Sequence, residues 1–275
     1  MDSFQDKVAV ITGAAGGLGL ALARQCAARG MRLVLADLDA AALEAAVAGF
    51  GGPERCLARP TDVTRADDVE ALARAAEERF GAIHVLFNNA GVGVSRTIAE
   101  TTANDWRWVL GVNLWGVLHG IAAFLPRMQA HGGEGRIVNT ASAAGFLSEP
   151  CMGAYSVSKH AVVVVSETLH KELELERSRV GVTVLCPAFF PTGITRAERS
   201  RPPELASPPP ASALSLAAQA QLEKAVASGR LGADAIAARA LEAVAAKELY
   251  VFTHPKIRLG IDERMRAILG AFPAS

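Results

Sequence analysis

Short runs of apolar, β-branched residues alternate with longer stretches of helical periodicity along most of the chain. Val8-Ala9-Val10-Ile11 reads as a strand, Leu18 to Arg29 as a helix, Leu33-Val34-Leu35 as a strand and Ala41 to Phe50 as a helix. A strand near Cys56 to Ala58, a helix from Thr64 to Phe80 with Thr64 as its cap, and a strand at Val85-Leu86-Phe87 continue the rhythm. A long helix through Trp106 to Met128 follows, then a strand at Ile137-Val138-Asn139 and a helix from Tyr155 to Glu176. Strands at Val182-Thr183-Val184-Leu185 and Tyr250-Val251-Phe252 complete the series. Strands apolar on both faces and separated by helices predict an α/β fold, a Rossmann-type doubly wound parallel sheet of about seven strands with helices on both faces. No internal repeat is present, and the 275 residues read as a single domain.

One segment departs from this rhythm. Between Pro187 and Arg230 the chain carries Pro187, Pro191, Pro202, Pro203, Pro208, Pro209 and Pro210, then an amphipathic stretch near Leu214 to Val226. A connection of that length in a compact domain is expected to be a substrate lid, inserted at about 193–230; the alternative is a surface excursion without function. Composition narrows the partners. Lys plus Arg at 28 balances Asp plus Glu at 28, so no global basic field attracts nucleic acid or an anionic membrane. Cys26, Cys56, Cys151 and Cys186 lie far apart, without the pairing or the histidine clustering of a metal site, and fit a reduced compartment. Acidic residues in Met1-Asp2-Ser3-Phe4-Gln5-Asp6 argue against export, so the cytoplasm is the expected location. The stretch from Trp108 to Pro126 is uncharged, but Asn113, His119 and its glycines mark it as a buried helix rather than a membrane span.

Thr12-Gly13-Ala14-Ala15-Gly16-Gly17-Leu18-Gly19 directly follows the first strand and opens the first helix. A glycine-rich turn there lets backbone approach a pyrophosphate, whose charge the helix N-terminus stabilises. Asp37 ends the second strand, where a carboxylate can accept both hydroxyls of an adenosine ribose; the alternative is a helix cap, for which Asp39 is better placed. In Tyr155-Ser156-Val157-Ser158-Lys159, a phenol and an ammonium sit four residues apart on one helix face. Ser142 precedes them, just past a strand, and Asn113 lies inside the earlier apolar helix.

With these motifs in hand, the chain resembles the short-chain dehydrogenase/reductase family from Lys7 to about Phe252. The resemblance extends to Asn88-Asn89-Ala90-Gly91 after the fourth strand and to Asp62-Val63. It implies a catalytic tetrad of Asn113, Ser142, Tyr155 and Lys159. It also implies cofactor contacts from Gly13, Gly17, Leu18, Gly19, Asp37, Asp62, Val63, Asn89, Ala90, Gly91, Tyr155, Lys159, Pro187 and Thr192, with no metal. The family's Pro-Gly reads here as Pro187-Ala188, a departure that matters if the position needs a positive φ. The implied activity is hydride transfer between NAD(H) and a largely apolar secondary alcohol or ketone. Tyr155 is the expected acid/base, its phenolate favoured by the Lys159 cation and the nicotinamide charge; a shift of about three units corresponds to roughly 4 kcal/mol. Ser142 is expected to hold the substrate oxygen, Asn113 a relay water, and Lys159 the nicotinamide ribose.

NAD is favoured over NADP because neither Ala15 nor Leu38 offers a positive charge to a 2′-phosphate. The alternatives are an NADP-dependent carbonyl reductase and a catalytically silent dinucleotide-binding protein. Ser95, Phe146, Phe189 and the segment after Gly193 are expected around the substrate, with Cys151 and Met152 either lining that pocket or filling core. His160 is expected to pack, and His254 to end a strand. The run Ala161-Val162-Val163-Val164-Val165 is apolar around the whole helix and predicts a homodimer or homotetramer through this helix and the Trp108 to Met128 region.

Overall fold

The computed structural model describes residues 3–273. Strands β1 (Val8–Thr12), β2 (Arg32–Asp37) and β3 (Cys56–Pro60) alternate with helices α1 (Gly17–Ala28), α2 (Ala40–Val47) and α3 (Ala66–Phe80). After β4 (Val85–Asn88) come α4 (Ala103–Leu110), α5 (Gly116–Ala130), β5 (Gly135–Thr140), α6 (Gly153–Leu175) and β6 (Val180–Cys186). Helices α7 (Ala213–Ala227) and α8 (Ala233–Ala246), strand β7 (Tyr250–Phe252) and helix α9 (Ile257–Leu269) complete the chain. The expected sheet is present: seven strands in the order β3-β2-β1-β4-β5-β6-β7, every pairing parallel.

The chain runs outward from β1 to β3 and returns to β4 on the other side of β1. This reversal opens a crevice beyond the carboxyl ends of β1 and β4, where ligands bind in sheets of this kind. Every residue of β1 and of β4 is buried, because helices cover both faces. On one face Leu18, Ala21 and Leu22 of α1 join Ile236, Ala240 and Leu241 of α8. On the other, Leu72 and Ala76 of α3 meet Phe124 and Met128 of α5.

Two local expectations need correction. Thr64 does not cap α3: its N–H and hydroxyl both donate to the Asp62 carboxylate, at 2.9 and 2.7 Å, and Arg65 stands at the N-cap without a side-chain bond. The helix begins one residue further on, at Ala66 after Arg65, and the Thr64 hydroxyl turns back to donate to Asp62. The long helix from Trp106 is not continuous either. A π-helical turn at Gly111–Trp115 separates α4 from α5 and holds Asn113 at its centre, a distortion that recurs at functional sites. Ala103–Ala130 is apolar enough by length and composition to cross a membrane, yet Trp108, Val109, Val117, Phe124 and Met128 within it are buried against protein. Asp39 does cap α2, accepting from the Ala42 N–H at 3.0 Å.

Candidate active site

The carboxyl ends of β1, β4, β5 and β6 carry the residues singled out in the sequence. At the end of β1, the buried Thr12 hydroxyl accepts the N–H groups of Asn89 and Ala90 at 2.9 and 3.1 Å, while Asn89 Nδ2 returns a bond to the Thr12 carbonyl at 3.0 Å. The glycine-rich turn and the Asn-Ala-Gly loop are therefore one unit. Gly13 has φ +66°, and a Cβ there would stand 2.9 Å from Ala90 Cα; a Cβ on Gly19 would overlap the Gly13 carbonyl oxygen. Both glycines are required by backbone packing. Gly17 instead faces across the crevice toward Thr192, whose Oγ1 would lie 3.2 Å from an added Cβ. The first turn of α1 has no side-chain cap, which leaves its amides directed at the crevice beside Leu18.

Asp37 ends β2 as expected, and its orientation is set by two backbone donors, Ala15 N–H at 2.9 Å and Asp39 N–H at 3.1 Å. Asp62 and Val63 lie beyond β3. One Asp62 oxygen is occupied by Thr64, and the Val63 carbonyl is 2.9 Å from His119 Nδ1.

Tyr155 and Lys159 share a face of α6, and the Lys159 ammonium lies 5.7 Å from the Tyr155 ring centroid. Ser142 follows β5 close to the Tyr155 side chain, and its hydroxyl accepts from the Ala144 N–H at 3.1 Å. Lys159 is buried, and its Nζ donates to the Thr140 carbonyl at 2.7 Å. Asn113, also buried, accepts from the Val92 N–H at 2.8 Å and donates to the Val92 carbonyl and the Ser158 hydroxyl at 2.9 and 3.0 Å. Ser158 in turn donates to the Tyr155 carbonyl at 2.7 Å. The four residues thus converge, but both amide hydrogens of Asn113 are committed. Its side chain braces the loop after β4 and the first turn of α6.

The charge balance among these protein groups differs from the sequence expectation. Burial raises the Tyr155 phenol above its ordinary value of 10.0, and the nearby Ser142 hydroxyl offsets only part of that. Burial also pulls Lys159 down to about 8. Cys186 lends Lys159 no anion at neutral pH, because burial pushes its thiol up to about 12. The ammonium is directed to the Thr140 carbonyl, so desolvation of the phenol outweighs it.

Pro187 follows β6, and its carbonyl accepts from the Ala143 N–H at 2.8 Å and from the Ser142 hydroxyl at 3.4 Å. Ala188 is absent from the non-glycine residues with positive φ, so the Gly-to-Ala departure needs no left-handed backbone. Ile194 approaches the same centre: a Cβ on Gly93 would stand 3.5 Å from Tyr155 Cδ2 and 3.7 Å from Ile194 Cγ1. Phe189 is 44% exposed, whereas Phe146 turns to β7, its ring centroid 5.1 Å from that of Phe252. Cys151 is buried with φ +61°, and Met152 is half-buried. His160 packs on α6 with Nδ1 2.9 Å from the Ser156 carbonyl.

The segment 193–230 has structure of its own. Two short 3-10 turns, Gly193–Ser200 and Pro203–Leu205, precede α7. Arg201 reaches the fully buried Asp105 at 2.9 Å and stacks 4.0 Å over Trp108, and Arg96 meets Asp105 at 3.3 Å. Glu100 accepts from the Ala211 and Ser212 N–H groups at 3.1 and 2.7 Å and from the hydroxyls of Ser212 and Ser215. Sequence reasoning missed Thr12, Glu100, Asp105 and Ser158 as supporting residues. Ser158, three residues after Tyr155 and next to Lys159, had a usable spacing; the others act across loops.

Comparison with known proteins agrees with this architecture. The family model for short chain dehydrogenase matches residues 7–203. A crystal structure of a short chain dehydrogenase/reductase from Burkholderia phymatum in complex with NAD superposes with a TM-score of 0.95 at 46% identity, covering 100% of this chain and 99% of that one. A C alpha-dehydrogenase from a Sphingobium species is 34% identical over 98% of this chain and 87% of its own length. An NADP-dependent (R)-specific alcohol dehydrogenase from Lentilactobacillus kefiri is 33% identical over 70% of this chain and 76% of its own length. The chain belongs to the short-chain dehydrogenase/reductase family of oxidoreductases.

Proposed function

We propose that the protein is an NAD-linked dehydrogenase/reductase for a largely apolar secondary alcohol or ketone, with Tyr155 as its acid/base. The observation that carries this reading is the placement of Tyr155 beside Ser142 and a buried Lys159, whose Nζ lies 5.7 Å from the Tyr155 ring centroid. The residues present fit a dinucleotide. The uncapped first turn of α1, with Gly17 and Leu18, would receive the pyrophosphate, and Asp37 the adenosine ribose. Asp62, Val63, Asn89, Ala90 and Gly91 would line the path toward Pro187 and Thr192. Bound NAD would supply the hydride acceptor for alcohol oxidation.

Ser142 would orient the substrate hydroxyl, and Tyr155 would take its proton, or return one during reduction. A phenol raised by burial is a ready proton donor at neutral pH, whereas oxidation requires the cations at the site to favour phenolate. Lys159 would act on the phenol and the cofactor ribose from its bond to Thr140, while Asn113 keeps the surrounding backbone in place. Ile194 beside Tyr155 and the exposed Phe189 favour an apolar substrate, which the segment 193–230 would cover as a lid.

NAD is favoured over NADP because Asp37 is pinned at the ribose end, next to the uncharged Ala15 and Leu38. The NAD complex of the Burkholderia relative supports this choice. Exposed Trp115, Val157 and Val164 around α5 and α6 support a homodimer or homotetramer, which light scattering would detect. The test of the reading is a screen of secondary alcohols of graded size with NAD or NADP, followed at the nicotinamide absorbance band. Oxidation with NAD that rises with apolar bulk is expected; no turnover with any alcohol, or equal use of NADP, overturns the corresponding part.

A further inference from the structure

Where β6 ends, Pro187 is tied to the proton-transfer side of the site through Ala143 and Ser142. The far side of the same loop is tied to the lid: Gly229 packs so closely that a Cβ there would stand 2.6 Å from Phe190 Cα. Between them, the Ala188 N–H donates to His254 Nδ1 at 3.2 Å. This partner follows from sheet register. Cys186 pairs with Phe252 in the parallel β6–β7 ladder, so continuing two residues along both chains brings position 254 beside position 188.

We propose that His254 is a positioning residue for cofactor binding and hydride transfer, acting through Ala188 on the Pro187–Thr192 loop. The inference rests on the reading above, in which that loop meets the nicotinamide end of the cofactor. The chemistry of the ring fits the role. Accepting the Ala188 N–H requires a lone pair on Nδ1, so the ring carries its proton on Nε2. The Thr253 hydroxyl lies 2.8 Å from the same Nδ1 and shares its single lone pair as a second, bifurcated donor, which is consistent with the same tautomer. Burial lowers the pKa of His254 below 6.5 and so agrees with a neutral ring, although the Phe189 backbone pulls the other way. Without the acceptor, the Ala188 amide loses this partner, and the loop keeps its bonds at Pro187 and the packing of Phe190.

The test compares His254→Phe, which keeps a ring but no acceptor, with His254→Asn, whose Oδ1 can replace Nδ1. Three measurements are made: hydrogen exchange of the peptide containing Ala188 in the protein alone, Kd for NADH, and Kd for ADP-ribose, which lacks the nicotinamide. The Phe variant is expected to exchange faster at Ala188 and to bind NADH roughly tenfold more weakly, the effect of one lost hydrogen bond, with kcat/KM falling in parallel. Its ADP-ribose affinity is expected to stay at the wild-type value, and the Asn variant to recover most of the loss. Wild-type exchange and NADH affinity in the Phe variant would overturn the proposal, as would an equal loss for ADP-ribose or no recovery with Asn. Failure of the wild-type protein to bind either nucleotide would instead remove the dinucleotide reading on which it stands.

Discussion

The glycine-rich turn at 13–19 and the segment 193–230 flank the same tyrosine, and different forces hold them. The turn is fastened by backbone against backbone, with Gly13 on Ala90, Gly19 on the Gly13 carbonyl, and Thr12 as the bolt between loops. Asp37 adds a charged acceptor only at Ala15, whose N–H it takes at 2.9 Å. The segment 193–230, packed against Phe190 at Gly229, is latched along its length by charge. Glu100 holds the start of α7, its carboxyl drawn down to about 2 first by Ser215 and then by Ser212, while Asp105 holds Arg201. A steric fastening tolerates no added atom and is indifferent to salt, whereas a polar latch can be released while the sheet stays folded. In the proposed function this suits a fixed cofactor seat beside a cover that admits substrate.

The largest effect is expected where the two regions meet. Tyr155→Phe should lower turnover by about a hundredfold or more with NADH affinity unchanged, because only the acid/base oxygen is lost. Near-normal kinetics would move that role elsewhere. Gly19→Ala should strike the steric side alone: relieving the overlap with Gly13 costs about 1–3 kcal/mol, so dinucleotide affinity should fall by about tenfold or more. Calorimetry would measure this, and exchange in 193–230 should not change.

Asp37 tests the electrostatics of the same seat. Like charges about 4 Å apart repel by roughly 4 kcal/mol at an effective dielectric near 20, and half of that already exceeds tenfold. Wild-type kcat/KM should therefore favour NAD over NADP by about tenfold or more, and Asp37→Ala should narrow the gap. Glu100→Ala is the counterpart on the lid. It should speed hydrogen exchange across 211–227 and raise substrate KM roughly threefold to tenfold, leaving Kd for NADH as it was. Unchanged exchange would mean that the Asp105 contact alone secures the lid.

The smallest effect separates the regions by pH. Burial pulls His84 from 6.5 to about 4, and its Nδ1 accepts the Val8 N–H at 3.1 Å where β1 begins. Between these two pH values the unfolded chain binds more protons than the folded one, so stability falls as pH drops from 6.5 to 4. A loss of about 2 kcal/mol would lower Tm by roughly 4–8 °C in a domain of this size. Glu100 stays ionised across that range, so the lid latch should persist in exchange measurements at pH 4 to 5 while the global melting point declines. A flat Tm would show that His84 does not titrate as its burial implies.

Much of the fold was legible along the chain. Every expected strand is present, because residues buried on both faces leave a continuous apolar run, as in VAVIT of β1. Tyr155 and Lys159 were readable because a helix brings positions four apart together. Helices α8 and α9 were not anticipated. The π turn at Asn113 escaped notice too, since nothing in Gly111-Val112-Asn113-Leu114-Trp115 distinguishes an i+5 turn from an ordinary one. The Thr64 cap failed because the helix starts one residue further on, after Arg65, and the Thr64 hydroxyl turns back to Asp62.

Periodicity and local spacing decided which segments are strands, which turn can receive a phosphate, and which helix carries the phenol and the ammonium. They act over a few residues, and burial of one face is written directly into the order of apolar positions. The partners of the polar groups depended instead on the order and register of the strands. Lys159 finds Thr140, Glu100 finds Ser215, Asp105 finds Arg201 and His254 finds Ala188 because the folded sheet brings distant loops to one edge. A buried donor or acceptor must be satisfied, but its own residue type does not say by which of many distant groups, and that choice arises when the core closes around it.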